Sequence, residues 1–183
     1  MKNKNCSIIS SNCAGGFISH YLHLRFNSPT VNLYILPKDF NTMLESFDYY
    51  FSSTTVINEC LDSSHDFPVG KFETGVRIYF MHYKKFDEAL AKWRERCNRI
   101  DKNNLYVILV ERDECTKNDL LRFNGLPFKN KVALTHSEYN ISSAYKISGF
   151  EDEEYVGHLH FVKNKFTGKR YIDEFDYVKF LNS

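Results

Sequence analysis

Leu105-Tyr-Val-Ile-Leu-Val110, running into Glu111-Arg112-Asp113, is the stretch on which the fold turns. It is an uninterrupted apolar run of strand length, the clearest strand in the chain. Thr116 and Asp119 then stand at the spacing of a capping box, which opens a short helix through Phe123. Gly125-Leu126-Pro127 ends that helix, and Lys131–Thr135 forms the next strand. Upstream, Val76–Met81 reads as a strand. Phe86, Ala89, Leu90, Trp93 and Cys97 come next as one apolar helical face, opposite Lys85, Glu88, Lys92, Glu95, Arg96 and Arg99. Two strand–helix–strand units result, Val76 to Val110 and Leu105 to Thr135. Such units pair their strands in parallel through right-handed crossovers and set helices on both sheet faces.

The remaining segments extend this pattern. Ser7–Ser10 is a short buried strand broken by Gly15-Gly16, with a helix over Gly16–Leu24. Val31–Leu36 is another strand, and Pro37 suits the first turn of the next helix. In that helix Phe40, Met43, Leu44, Phe47 and Tyr50/Phe51 recur at helical spacing. Asn58–Gly70 mixes polarity with turn residues and reads as a loop or irregular strand. In the tail, Tyr155–Val162 and Lys169–Ile172 flank Phe166-Thr167-Gly168 like the arms of a hairpin. The expected fold is α/β: three layers, a mostly parallel sheet with helices on both faces, and a small strand-rich C-terminal appendage. Residues 1–150 form the α/β domain, and 151–183 a cap or edge hairpin packed on it.

Composition narrows the function classes. The chain has 183 residues, 43% hydrophobic and 26% charged, as in a soluble globular protein. A net charge of +1 supplies no field to attract nucleic acid or an anionic membrane. No apolar run is long enough to span a bilayer, and no apolar signal region succeeds the basic start, so neither membrane insertion nor secretion is expected. Five scattered cysteines suit a reducing compartment, with the cytoplasm as the default. The 16 Phe and 12 Tyr serve either core packing or a binding cleft.

Chemically capable residues fall just past predicted strand ends: Cys13, His82, Asp113 and His136. In open α/β sheets ligands occupy the crevice outside the carboxyl ends of the strands, so these residues are candidates for one site. Asn12-Cys13-Ala14-Gly15-Gly16 is a strand-to-helix turn whose glycines let backbone approach a ligand, and free amides at a helix start favour phosphate. The same amides lower a thiol pKa and make Cys13 a candidate nucleophile. The turn matches neither the Walker nor the dinucleotide pattern. His82 is a candidate general base or phosphate contact. Asp113 can accept a proton, bind a sugar hydroxyl or hold a divalent metal, and Arg112 can fork onto phosphate. His136 is a further candidate ligand contact, with a satisfied structural histidine as the alternative. His158-Leu159-His160 places two rings on one strand face, half a metal site without partners at ligand spacing, so no metal site is assigned. No cofactor is expected, and whether Asp113 holds a divalent metal ion is left open.

The same stretches carry a family resemblance. Ser11-Asn-Cys13-x-Gly-Gly16, Asn27-Ser-Pro-Thr-Val31, Pro68-Val-Gly70, His82-Tyr-Lys-x-Phe-x-Glu-Ala89-x3-Trp93-x2-Arg96, Arg112-Asp-x-Cys-Thr116, Leu126-Pro-Phe-Lys-Asn-Lys-Val132 and Phe175-Asp-Tyr-Val-x-Phe-Leu-Asn182 occur in order. Over nearly the whole chain this resembles the bacterial family called domain of unknown function nineteen-nineteen, whose members are often labelled exopolysaccharide biosynthesis proteins. The resemblance implies an association with surface-glycan assembly and assigns no catalytic residue. Relatives usually carry an aromatic residue where this chain has Ala14. The expectation is a cytoplasmic enzyme of surface polysaccharide or glycoconjugate synthesis, a glycosyl- or other group transferase. It would bind a nucleotide-sugar or sugar-phosphate donor at Asn12, Gly15, Gly16 and Arg112, with Asp113 or His82 as base, and would work among polysaccharide-assembly proteins. Two alternatives stand beside it: an acyltransferase or hydrolase using Cys13 with His82 or His136, and a non-catalytic glycan-binding or scaffolding subunit.

Overall fold

A computed structural model of the chain describes residues 2–61 and 64–183, and its architecture is α/β. The central sheet is four-stranded and wholly parallel, formed by β1 (Ser7–Ser10), β5 (Leu105–Val110), β6 (Lys131–Thr135) and β7 (Ala144–Lys146) in that spatial order. β2 (Ile57–Cys60), β3 (Val69–Phe72) and β4 (Arg77–Tyr79) form a separate antiparallel sheet, and β8 (Val162–Asn164) with β9 (Lys169–Arg170) a hairpin.

Strand alternation divides the interior into two cores. Ile9, Val107, Leu109 and Ala133 point to one face, where α2 (Pro37–Glu45), α3 (Phe47–Tyr50), α4 (Phe86–Cys97), α5 (Lys117–Asn124) and the antiparallel sheet cover them. Trp93, Phe40, Phe72, Phe80 and Phe123 fill this larger core. Ile8, Tyr106, Ile108, Val110, Val132 and Leu134 point to the other face. Ala14 and Ile18 of α1 (Ala14–Tyr21) cover them, together with Phe150, Val156, Leu159, Ile172 and Leu181 of the tail and the flank of α6 (Tyr177–Phe180). Three layers result from the period of two in the strands and the single apolar stripe of each helix. The capping box at α5 is closed as its sequence requires: Thr116 Oγ1 accepts from the Asp119 amide at 3.2 Å, and Asp119 Oδ2 from the Thr116 amide at 2.9 Å.

Several elements differ from their sequence reading. Val31–Leu36 buries Val31, Leu33 and Ile35 but forms no strand. Asn32 takes a left-handed φ of 66°, which breaks the extended run; Tyr34 forms an isolated bridge to Tyr79, and the Ile35 amide donates to the Ser11 carbonyl at 2.8 Å. The expected long helix from Phe40 to Phe51 is split at Ser46, whose φ of −120° is not helical. Asn58–Gly70 contains most of β2 and the start of β3, while Asp62 and Ser63 within it lie outside the described residues, as does Met1. β4 belongs to the antiparallel sheet, so Val76 to Val110 is not a crossover within the parallel one. The tight turn at Gly75, with φ of 93°, folds β4 back on β3 instead. β7 is an additional parallel strand. In the tail Val162–Asn164 and Lys169–Arg170 pair as strands, the amides of Tyr171 and Ile172 donate to the Phe161 and Leu159 carbonyls at 3.2 and 2.9 Å, and residues 155–161 otherwise form an irregular strap.

Candidate functional site

Helix direction decides where the sheet opens. After β1 the chain turns into α1, which covers the Ile8/Ile108 face, whereas after neighbouring β5 it enters α5 on the Ile9/Val107 face. Two adjacent parallel strands whose succeeding segments depart to opposite faces leave a crevice between their carboxyl ends. A cleft of about 570 Å³ lies there. This volume suits a small ligand.

Asn12 and Cys13 come to the cleft from the β1–α1 turn, and Arg112 and Asp113 from the β5–α5 turn. Tyr34, His65, Phe67, Met81 and His82 reach it from the antiparallel unit and its flanks. The strap brings Gly157, His158, Leu159 and His160, and α1 adds Phe17. One wall is a ring cluster, with Tyr34 stacked on Tyr79 at 4.5 Å and His65 against Phe67 at 4.9 Å. A second cluster joins α1 to the strap, where Phe17 meets His160 at 4.9 Å and His158 lies 5.6 Å from His160. The strap is held down by its Val156 amide, which donates to the Glu111 carbonyl at 2.9 Å, and by the buried side chains of Val156 and Leu159.

Asp113 is the most distinctive residue of the group. It and Glu114 take consecutive left-handed conformations, φ 55° and 67°, which L-residues adopt at a cost of order 1 kcal/mol each when the surroundings enforce it. Burial pushes the Asp113 carboxyl above the ordinary carboxylate range, and the adjacent Arg112 guanidinium, Nε to Oδ1 at 3.5 Å, only partly opposes this. Arg112 also lies 5.8 Å from the Tyr155 ring centre. The His160 imidazole is pushed down by burial first, then by His158 and Arg112. Burial raises the Tyr34 phenol to about 12, with Tyr79, Asp113 and Glu114 adding to it.

The β1–α1 turn differs from a phosphate cradle. The Ala14 amide donates to Asn12 Oδ1 at 3.0 Å and the Gly15 amide to Ser10 Oγ at 3.0 Å, so two of the helix-start donors are satisfied internally. Gly15 and Gly16 do not line the cleft. Glycine at 15 answers to packing, since a Cβ there would meet Ser10 Oγ at 2.7 Å and Ile8 Cγ2 at 3.0 Å. Burial raises the Cys13 thiol pKa, the backbone around Leu33 and Asn32 lowers it by less, and Asp113 adds the smallest contribution, upward. Its Sγ lies 3.6 Å from the Leu33 carbonyl oxygen.

His136 stands apart from the cleft. The buried Glu111 carboxylate accepts from the His136 amide at 2.9 Å, contacts His136 Nδ1 at 2.7 Å and accepts from the Tyr139 hydroxyl at 2.5 Å. Burial and this carboxylate push the Tyr139 phenol up. The arrangement ties the end of β5 to the loop after β6. Sequence reasoning missed Phe17, Tyr34, His65 and Phe67; the one available signal was the pairing of histidine and aromatic in His65-Asp66-Phe67. His158 and His160 reach the cleft on a strap rather than on the expected strand.

Among the described residues no group of three or more His, Cys, Asp and Glu is placed to hold a metal ion, and no helix is long and apolar enough to cross a membrane. A wider depression of about 1040 Å³ lies at the opposite end of the sheet, but its amides already secure the chain ends. There Asn182 Oδ1 accepts from the amides of Lys2 and Asn3, and Asn3 and Asn104 bond each other's side chains.

A Haemophilus influenzae protein described as "Uncharacterized protein" is 42% identical over 183 residues, covering 100% of this chain and 86% of that protein. The model of one family, described as Domain of unknown function (DUF1919), matches residues 1–182, a span that takes in every motif from Ser11 to Asn182. On that match the chain belongs to the DUF1919 family.

Proposed function

We propose that the protein is a cytoplasmic group transferase of surface polysaccharide or glycoconjugate synthesis, acting on a phosphate-bearing sugar donor in the cleft between β1 and β5. The observation that supports this best is Asp113: a carboxylate with a raised pKa, held by enforced backbone on the wall of a ring-lined cleft, beside a guanidinium. A sugar hydroxyl is a poor nucleophile, and a positioned base of raised pKa accepts its proton as the new bond forms. Arg112 supplies charge for the phosphate that departs with the electron pair of the broken sugar–phosphate bond. His65, His82, His158 and His160 offer further donors to phosphate or sugar oxygens, and the Tyr34 and Phe17 rings offer faces to a sugar or base. His82, at the exposed rim, is the second candidate base. The Cys13 route is less favoured, because burial and Asp113 work against the thiolate it requires.

A thermal-shift series against nucleotide sugars, free nucleotides and sugar phosphates, with and without magnesium or manganese, tests the proposal. A ligand at about 100 times its Kd stabilises the native state by roughly 2.7 kcal/mol. For a domain of this size that is a rise of about 5–10 °C. The rise should disappear in Arg112→Ala. No response to any phosphate-bearing ligand would remove the donor reading. Binding without transfer to any offered acceptor would favour a glycan-binding subunit.

A further inference from the structure

The β8–β9 hairpin presents an apolar tip that the fold does not use. Phe166 at the tip is fully exposed, and Phe161 and Val162 at its base are 53% and 52% exposed. Single exposed rings are common on protein surfaces. Here the ring is held outward by a built turn. Asn164 Oδ1 accepts from the amides of Phe166 and Thr167 at 2.9 and 3.1 Å, and Gly168 closes the turn at a φ of 68°.

The base of the hairpin is fastened to the body. Lys163 pairs with Glu174 and donates to the Ser148 carbonyl at 2.9 Å. Arg170 grips Asp173 through two nitrogens at 2.9 and 2.8 Å and lies over the Tyr21 ring. These contacts neutralise the two basic residues nearest the body. Lys165 and Lys169, which flank Phe166, are exposed and have no ion pair among the described residues. From Val162 to Ile172 the chain carries no acidic residue. The chain before β8 runs back along the strap through His160 and His158 into the cleft wall, so the tip and the cleft mouth share one segment.

We infer that this hairpin docks the protein on an anionic phospholipid surface, with Phe166 entering the headgroup–acyl boundary and Lys165 and Lys169 facing the headgroups. The net charge of +1 supplies no long-range attraction, so docking rests on this local chemistry, an aromatic wedge flanked by lysines, and requires adsorption only, not a spanning segment. The exposed acidic run Glu151–Glu154, just before the strap, repels the same surface. The inference does not depend on what the cleft binds.

Co-sedimentation of the full chain with phosphatidylcholine vesicles, with and without phosphatidylglycerol, tests it. Binding should appear with the anionic vesicles and weaken as salt is raised. Each lysine near the surface contributes about fivefold, so the pair Lys165→Glu and Lys169→Glu should weaken binding at least about 25-fold. Phe166→Ser should weaken it about tenfold or more. These sites are exposed, and a circular-dichroism melt checks that the variants fold as the wild type does. Equal binding to neutral vesicles, unchanged binding of Phe166→Ser, or no binding at all would overturn the inference. So would light scattering that finds a dimer dissociated by Phe166→Ser, which would assign the tip to a second copy of the chain.

Discussion

Replacing Asp113 by asparagine distinguishes a catalytic base from a structural ion-pair partner, because the two roles move stability in opposite directions. The pair with Arg112 is a single 3.5 Å contact between side chains 26% and 30% exposed. A pair of that kind contributes roughly 0–1 kcal/mol. On the other side, burial holds the carboxyl above its ordinary range, so desolvation outweighs what Arg112 returns. The left-handed φ of 55° accommodates asparagine as readily as aspartate. Asparagine therefore keeps shape and backbone, forgoes at most about 1 kcal/mol of pairing and removes a desolvated charge. At neutral pH the melting temperature should be unchanged or higher, where 1 kcal/mol corresponds to about 2–4 °C. Because the folded-state pKa lies above the ordinary 3.8, the native state holds this proton more tightly than the unfolded chain. Its stabilising contribution is complete below that ordinary value and is lost as pH rises through the folded value. Wild type should lose stability relative to Asp113→Asn across that acidic window, with a constant difference above it. Guanidinium unfolding of both proteins over a pH series measures this. Transfer by the variant should fall about 10²–10⁴-fold. A loss of more than about 2 kcal/mol at neutral pH, beyond what such a pair can supply, would refute the reasoning and make Asp113 a structural anchor.

Glu111→Ala should cost about 3–5 kcal/mol in guanidinium unfolding, because it leaves the His136 amide and the Tyr139 hydroxyl without the buried acceptor they share. Glu111→Gln, which keeps one acceptor oxygen, should cost less than half of that; a loss under about 1 kcal/mol from the alanine change would mean that the network contributes little. Cys13 should alkylate at neutral pH more slowly than a free thiol, since burial raises its pKa, and all five cysteines should react quickly once the chain is unfolded. Rapid, selective labelling of native Cys13, read by mass spectrometry, would restore the covalent route.

What the sequence revealed, and what it hid, divides along the range of the forces involved. The Leu105–Val110 run, the Thr116–Asp119 capping box and the apolar stripe of Phe86–Cys97 depend on near neighbours, and each forms where its residues place it. The element at Val31–Leu36 has the alternation of a strand but lacks its ladder, because one left-handed Asn32 spoils the extended backbone. β4 has a strand's composition, yet its sheet is chosen by the hairpin at Gly75, a pairing that composition does not encode. β7 is Ala-Tyr-Lys, too short and too polar to stand out from a loop. The candidate site divides in the same way. Every parallel strand has a carboxyl end, so the strand-end argument weights Cys13, Asp113 and His136 equally. What separates them is the face to which the chain departs. Ala14 and Ile18 must cover the core of Ile8 and Ile108, while Leu120 and Phe123 must cover that of Ile9 and Val107. The segments after β1 and β5 therefore diverge and open a crevice that takes in Asn12, Cys13, Arg112 and Asp113, while His136 turns back to the Glu111 carboxylate beside it. The rings that wall the crevice come from residues as distant as Tyr34 and His160, and only the completed packing of both cores brings them together.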